Sequence, residues 1–301
     1  VNFIKKNAYF IHVDIQQEEK SIKRARGDIM ERFHRNERIA VLLKTMCDSP
    51  GETFTLGSFA EMFGSAKSTV SEDIGIVQNL LEKFDLGFIE SLPGSSGGVR
   101  FVPGYSKNKI RGILNTLCQD LSNSQRILAG GYLYMLDVIY DPRKISEIGY
   151  IFAGHFFKRE IDCVITVETK GIPLAFSTAK HLGVPLVIAR HNSEATDGPS
   201  VNINYVSGSS KKIQTMMLPM RALKRYSKLL FIDDFMKGGG TARGIIELAR
   251  EFECEVAGIG VVIETLEPSK KLVEDYVSLL TLNIVNEEEK LIDVKPANDW
   301  I

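Results

Sequence analysis

The chain has 301 residues, 44% of them hydrophobic and 25% charged, with a formal net charge of −1. That is enough for two domains with a core in each, and the balance excludes a collagen-like, low-complexity or uniformly basic protein. No apolar run approaches the roughly 20 residues that a membrane-spanning helix needs. Cys47, Cys118, Cys163 and Cys254 are widely spaced in mostly apolar surroundings, so they read as reduced small side chains of a cytoplasmic protein, not as a disulfide framework or metal site.

Residues 1–29 are unlike the rest of the chain. Asn7 and Tyr9 interrupt a weak apolar stretch that would otherwise suggest a signal peptide, and the charged run Lys20–Arg26 predicts disorder or a frayed helix. A valine at position 1, as from a literally translated GTG codon, and Arg26-Gly27-Asp28, encodable by purine-rich triplets just before Met30, lead us to expect Met30 as the initiator and residues 1–29 as a mis-annotated leader. Residues 21–46 carry seven Lys/Arg against three Asp/Glu, which concentrates positive charge ahead of the first fold.

A first domain is expected over residues 30–104. Ile39, Leu42, Leu43 and Met46 recur at helical spacing from Arg35 to Asp48, and Ser49-Pro50-Gly51 ends that helix. A short helix at about Leu56–Phe63 follows, then a turn at Gly64-Ser65, then a helix from about Ala66 to Phe84 with Val70, Ile74, Val77, Leu81 and Phe84 facing inward. Thr69 and Glu72 are spaced for a capping box. Phe88–Leu92 and Val99–Val102 flank a Pro-Gly-Ser-Ser-Gly-Gly tip and read as a hairpin. Three helices closed by a hairpin make a winged helix-turn-helix, a small α+β domain. In that geometry the amino end of the third helix enters a DNA major groove. Ser65, Lys67, Ser68, Thr69 and Ser71 are then candidates for phosphate and base contact, with Arg32, Arg35, Arg38 and Arg100 placed to neutralise phosphates. The alternative is that these charges solvate helix faces and that the module binds protein. Residues 47–104 hold only three Lys/Arg against eight Asp/Glu, so the arginines must supply most of the attraction for DNA.

The second domain is expected over residues 105–301. Apolar residues from Ile110 to Leu121 have helical spacing, and helices at about Ser124–Tyr140 and Ser146–Phe157 are predicted after them. An α/β alternation then begins, with strands at Cys163–Val167, Pro185–Ala189, Leu229–Ile232 and Val256–Val262 and a helix at Gly171–Leu182. Between the second and third strands, Asn192–Tyr226 is too long for a plain connection. Val201–Val206 and Ile213–Leu218 read there as a hairpin around Ser207-Gly208-Ser209-Ser210. After the last strand, Glu274, Asp275 and Glu287–Glu289 read as solvated helix and loop charges.

The most informative stretch runs from Leu229 to Thr241. A buried strand leads into Asp233 and Asp234, then Phe235, Met236, Lys237, Gly238, Gly239, Gly240 and Thr241, and a helix at Ala242–Phe252. Glycines let the backbone approach an anion, and the first N–H groups of the helix attract it. Two carboxylates can accept hydrogen bonds from vicinal ribose hydroxyls, so the site is shaped for a ribose 5-phosphate.

This order of strand, acid pair, Gly/Thr loop and helix resembles the phosphoribosyl-pyrophosphate (PRPP) motif of type I phosphoribosyltransferases. The resemblance implies a parallel sheet with helices on both faces. It implies that Thr169, Lys170 and Gly171 cradle the pyrophosphate through an unusual peptide geometry, Lys170 otherwise being a surface lysine at a helix start. It also implies that the long hairpin acts as a mobile lid from which Tyr205, Ser207, Lys211 and Lys212 reach a polyphosphate, the last two being equally readable as solvated.

A winged helix joined to such a domain is similar to the purine-operon repressors of Gram-positive bacteria, from about Met30 to Val285. The marks are Ser65–Asp73, Pro93-Gly94 with Gly97-Gly98-Val99, Lys170–Pro173, Asn202–Ser210 and Ile232–Lys237 with Gly239-Gly240-Thr241. Lys237 stands where the enzymes usually have a small residue. The resemblance implies a catalytically inactive homodimer that represses purine synthesis and salvage genes and binds double-stranded operator DNA. PRPP, with Mg²⁺, would release it, and a nucleotide such as guanosine tetraphosphate would compete. The rivals are an active purine phosphoribosyltransferase with an accessory winged helix, which needs a hood over the base, and a DNA-independent scaffold.

Overall fold

The structure is a computed structural model and describes residues 33–94, 97–192, 198–206 and 213–300. The expected leader, the initiator Met30, Arg32, the hairpin turn Ser207–Ser210, and Lys211 and Lys212 lie outside the described residues.

The first unit is built from α1 (Arg35–Asp48), α2 (Leu56–Phe63) and α3 (Lys67–Lys83), followed by the antiparallel pair β1 (Phe88–Leu92) and β2 (Gly98–Val102). Thr55 caps α2 by accepting a hydrogen bond from the Ser58 N–H, and Gly64 ends it in the left-handed conformation, φ 58°, which costs glycine little. Leu42, Met46, Phe59, Val70, Val77 and Leu81 are sealed in one core with Ile89, Val99 and Phe101 from the hairpin. The capping box expected of Thr69 and Glu72 does not form. The helix begins at Lys67, which leaves Thr69 inside its first turn, and Glu72 is drawn to Arg35 at 3.4 Å.

The second unit opens with α4 (Lys107–Leu121). The helix expected over Ser124–Tyr140 is replaced by a small hairpin, β3 (Ile127–Leu128) with β4 (Tyr132–Leu133), and a single turn, α5 (Leu136–Ile139). Gly130 and Gly131, at φ 87° and 72°, reverse the chain there and forbid a continuous helix. The next helix, α6 (Pro142–Phe156), starts a turn earlier than its apolar spacing implied. Asp141 accepts from the Arg143 and Lys144 N–H groups, and Pro142 occupies a first-turn position that needs no donor.

The chain continues through β5 (Cys163–Val167), α7 (Gly171–Leu182), β6 (Leu186–Ala189), the hairpin β7 (Ser200–Val206) with β8 (Ile213–Pro219), β9 (Lys228–Met236), α8 (Gly240–Glu251), β10 (Glu255–Thr265), β11 (Val277–Asn286) and β12 (Leu291–Pro296). One sheet has the order β12-β11-β10-β9-β5-β6, parallel throughout except for β12 at its edge. Leu230 and Ile232 pack with α4, α6 and α7 on one face, while Leu229 and Phe231 pack with α8 and the β7–β8 hairpin on the other. The fold is thus a type I phosphoribosyltransferase-like α/β sheet preceded by a winged-helix unit. Residues after 265, read as helix and loop, instead supply β11 and β12, whose Leu279, Leu280 and Val294 are buried.

The two units are in intimate contact. Tyr150 of α6 is buried within the winged-helix core and its hydroxyl donates to the Leu86 carbonyl at 2.6 Å. Tyr105 lies 4.4 Å from the Tyr150 ring and His181 meets that ring edge-on at 5.1 Å. Burial, with Lys180 nearby, pushes His181 down to about 4, so the ring is neutral at physiological pH. Asp85 accepts from both the N–H and the hydroxyl of Ser106 and ties the end of α3 to the start of α4.

Candidate functional site

A cavity of about 550 Å³ opens at the carboxyl ends of β5 and β9, where parallel α/β sheets bind ligands. Asp233, Asp234, Phe235, Met236, Lys237, Gly238, Gly239, Gly240 and Thr241 all line it, and so do Thr169, Lys170, Gly171 and Tyr205. The strand carrying the acids is longer than its apolar run: β9 continues through Met236, so both aspartates are strand residues rather than turn residues. Gly239, at φ 79°, caps α8 with no side-chain donor or acceptor, and Thr241 falls in the first turn with the helix's unpaired N–H groups.

The two loops do face each other. A Cβ at position 171 would overlap Thr166 Oγ1 and lie 3.1 Å from Asp233 Oδ1, so only glycine lets α7 start this close to the acid pair. Thr166 is buried there, and its hydroxyl has no hydrogen-bond partner among the described residues. The Glu168–Thr169 peptide bond just before this turn is cis. Burial, and then the neighbouring Asp234 carboxylate, push the Asp233 carboxyl well above its ordinary value of 3.8. The Asp234 N–H donates to Asp233 Oδ1 at 2.9 Å, a partial offset.

Tyr205 is anchored on both sides. It is 7% exposed, packs on Gly244 of α8, and donates its hydroxyl to Gln214 Oε1 at 2.8 Å across the hairpin. Other cavity residues escaped the sequence reading. Glu168 Oε1 accepts from the His191 N–H at 2.6 Å, and His191 Nδ1 lies 3.0 Å from the Thr215 carbonyl, fixing the strand end to the hairpin. Tyr132, Leu133 and Met135 also line the cavity. The residues after 265 extend the sheet, so the nearest thing to a hood comes from this short hairpin ahead of the sheet, and Gly130-Gly131 was the signal for it.

On the winged helix, Lys67, Ser68 and Ser71 stand exposed at the amino end of α3, and Thr69 is half-exposed. Ser65 differs, because its hydroxyl oxygen is buried in the turn. The arginines also make contacts within the protein. Arg38 Nε donates to Asp73 at 2.7 Å, Arg35 Nε approaches the same carboxylate at 3.1 Å, and Asp73 is fully buried. Arg100 pairs with Glu90 at 2.7 Å and stacks over the Phe157 ring at 5.1 Å, which turns it toward the second unit.

Residues 34–103 match the model of the bacterial purine repressor amino-terminal domain, and residues 136–296 match the phosphoribosyl transferase domain. The chain is 45% identical over 267 residues to the purine biosynthesis transcriptional repressor PurR of Bacillus subtilis, a match covering 89% of this chain and 94% of that one. The chain belongs to the PurR family. Other PurR relatives include a probable purine biosynthesis transcriptional regulator of Streptococcus pneumoniae, 40% identical over 89% of this chain and 98% of that one. A purine biosynthesis transcriptional activator of Lactococcus lactis is 36% identical over 88% and 97%. These full-length PurR relatives are named as regulators of transcription and not as enzymes.

Proposed function

We propose that this protein is a homodimeric repressor of purine synthesis and salvage genes that binds operator DNA through α3 and is released when PRPP occupies the cavity. The observation that carries this reading is the approach of Gly171 to Asp233. It brings a diphosphate-sized loop and a diol-accepting acid pair to one cavity in the same chain as a purine-repressor amino-terminal domain. Ribose hydroxyls donate to Asp233 and Asp234, the 5-phosphate takes the N–H groups of Gly239–Thr241 at the start of α8, and the pyrophosphate takes those of Thr169–Gly171. A ligand relieves repression only through different affinities for the free and DNA-bound forms.

Among the described residues no group of three or more His, Cys, Asp or Glu side chains could hold a metal ion. Two adjacent carboxylates suit a Mg²⁺ that arrives with the polyphosphate and keeps much of its water. Such an ion would neutralise phosphate charge, and Asp233 and Asp234 would accept from the sugar hydroxyls without facing bare anionic oxygens. A nucleotide with a polyphosphate, such as guanosine tetraphosphate, shares these chemical features and competes.

The second reading, an active purine phosphoribosyltransferase, draws on Tyr132, Leu133 and Met135 in the cavity lining, against which a base would sit. Incubation with PRPP, Mg²⁺ and each of adenine, guanine, xanthine and uracil separates the two. The repressor reading expects no base-dependent pyrophosphate release together with salt-dependent operator binding. Turnover on any base without operator binding would overturn it.

A further inference from the structure

Helix α7 touches both halves of the molecule. Its first residue, Gly171, abuts Asp233 in the cavity. Past its other end, a Cβ on Gly183 would lie 2.5 Å from the Pro50 carbonyl oxygen, and the Leu182 carbonyl lies 3.7 Å from the equivalent point on Gly51. Twelve residues of α-helix span about 18 Å and bend little over that length. Helix α6 is locked alongside, since a Cβ on Gly149 would overlap Ser177 Oγ of α7, and Ser146 Oγ lies 3.3 Å from His181 Nε2. From α6, Tyr150 donates to the Leu86 carbonyl at 2.6 Å. The two contact points bracket the DNA-facing helices: Pro50-Gly51 precedes α2 and Leu86 follows α3.

We propose that the α6–α7 pair carries the effector signal from cavity to winged helix as a small shear. The inference rests on the reading of the cavity as a PRPP site. An anion drawn to the first N–H groups of α7 pulls that helix along its axis. The Ile172 N–H is available for this, because its present bond to the Thr169 carbonyl is long at 3.3 Å. Packed helices slide by about 1–2 Å in such transitions. At the far end a slide of that size changes the seat of the Pro50 turn and the Tyr150–Leu86 bond together, and with them the angle at which α3 is presented. Coupling of this kind needs a contiguous element whose position both sites bias, and α7 is one.

Hydrogen–deuterium exchange on the full-length protein with and without PRPP and Mg²⁺ tests the proposal without needing DNA. The wild type should show slower exchange in residues 166–172 and 233–241 together with altered exchange in residues 49–54 and 84–88. Tyr150→Phe, which removes only the hydroxyl, and Ser146→Ala, beside His181, should keep the first change and reduce the second at residues 84–88, the end that Tyr150 contacts. In parallel, the factor by which saturating PRPP weakens operator binding should fall at least about fivefold in Tyr150→Phe. Operator affinity without PRPP and PRPP affinity without DNA should each stay within about twofold. Ligand-loop protection in the wild type with no change at 49–54 and 84–88 would overturn the coupling and leave the site intact. Full coupling in both variants would do the same. No protection of the ligand loops would overturn the site reading, and the coupling with it.

Discussion

Arg38 holds a fully buried Asp73: its Nε donates to Oδ2 at 2.7 Å while Arg35 Nε approaches Oδ1 at 3.1 Å. The two arginines tie α1 to α3 through Asp73. Removing one partner of a buried ion pair leaves the other charge stranded and costs about 3–5 kcal/mol. Arg35 remains as a partner of Asp73, so Arg38→Ala should destabilise the winged helix by less than that, about 1.5–3 kcal/mol, in denaturant unfolding. A loss below about 1 kcal/mol, with weakened DNA binding, would return Arg38 to the phosphate contacts.

Lys67 lies exposed at the first position of α3. Lys67→Ala should leave stability within about 0.5 kcal/mol, weaken operator binding, and lower the slope of log affinity against log salt by about one. PRPP affinity should not move. Operator titrations at three salt concentrations check this, and an unchanged slope would displace Lys67 from the phosphate backbone.

The helices of the winged domain were legible because apolar residues at three- and four-residue spacing alternate with strong turn chemistry, Ser49-Pro50-Gly51 and Gly64-Ser65. The two loops that meet at the cavity were legible for the same local reason, since their glycines and acids are contiguous in sequence. What stayed hidden was set by distant partners. Arg35 and Arg38 also hold Asp73, thirty-five residues beyond Arg38, a partner that local sequence does not show. The Ile127–Leu133 hairpin passed for helix because its apolar residues fit either period, and Gly130-Gly131 decided the matter. The strands after residue 265 were masked by a charged setting, although Val277–Asn286 is a β-rich run on its own.

Asp233 carries a carboxyl raised by burial and by Asp234. A raised folded-state value means the native protein binds the proton more tightly than the unfolded chain. Stability from that proton is fully present below the unfolded value near 3.8 and is lost as pH rises through the folded value. Asp233→Asn should therefore melt like the wild type near pH 4 and increasingly above it as pH rises. PRPP affinity of the wild type should climb over the same window, as the carboxylate becomes available to accept from ribose. Melting curves at several pH values check the first part. A mutant less stable than wild type at pH 8 would contradict it.

Gly171→Ala inserts a methyl group against Thr166 Oγ1 and 3.1 Å from Asp233 Oδ1. Overpacking of this kind costs about 1–3 kcal/mol, and the ligand loop should lose most of its PRPP affinity. Adding Thr166→Ala removes the overlapping oxygen and should restore part of the stability. Isothermal titration with PRPP and thermal melting of the single and double variants test this. Additive losses would mean that the two sites do not share the space.

Control of DNA binding by the Asp233–Asp234 site can be measured directly. The most direct measurement is a titration of PRPP with Mg²⁺ into wild-type protein bound to fluorescent purine-operon DNA at fixed salt, followed by anisotropy, with the Asp233→Ala, Asp234→Ala double variant beside it. The account predicts that PRPP releases the wild type and leaves the double variant on DNA with its basal affinity unchanged. Release of the double variant at the same PRPP concentration, or no release of the wild type, would contradict it.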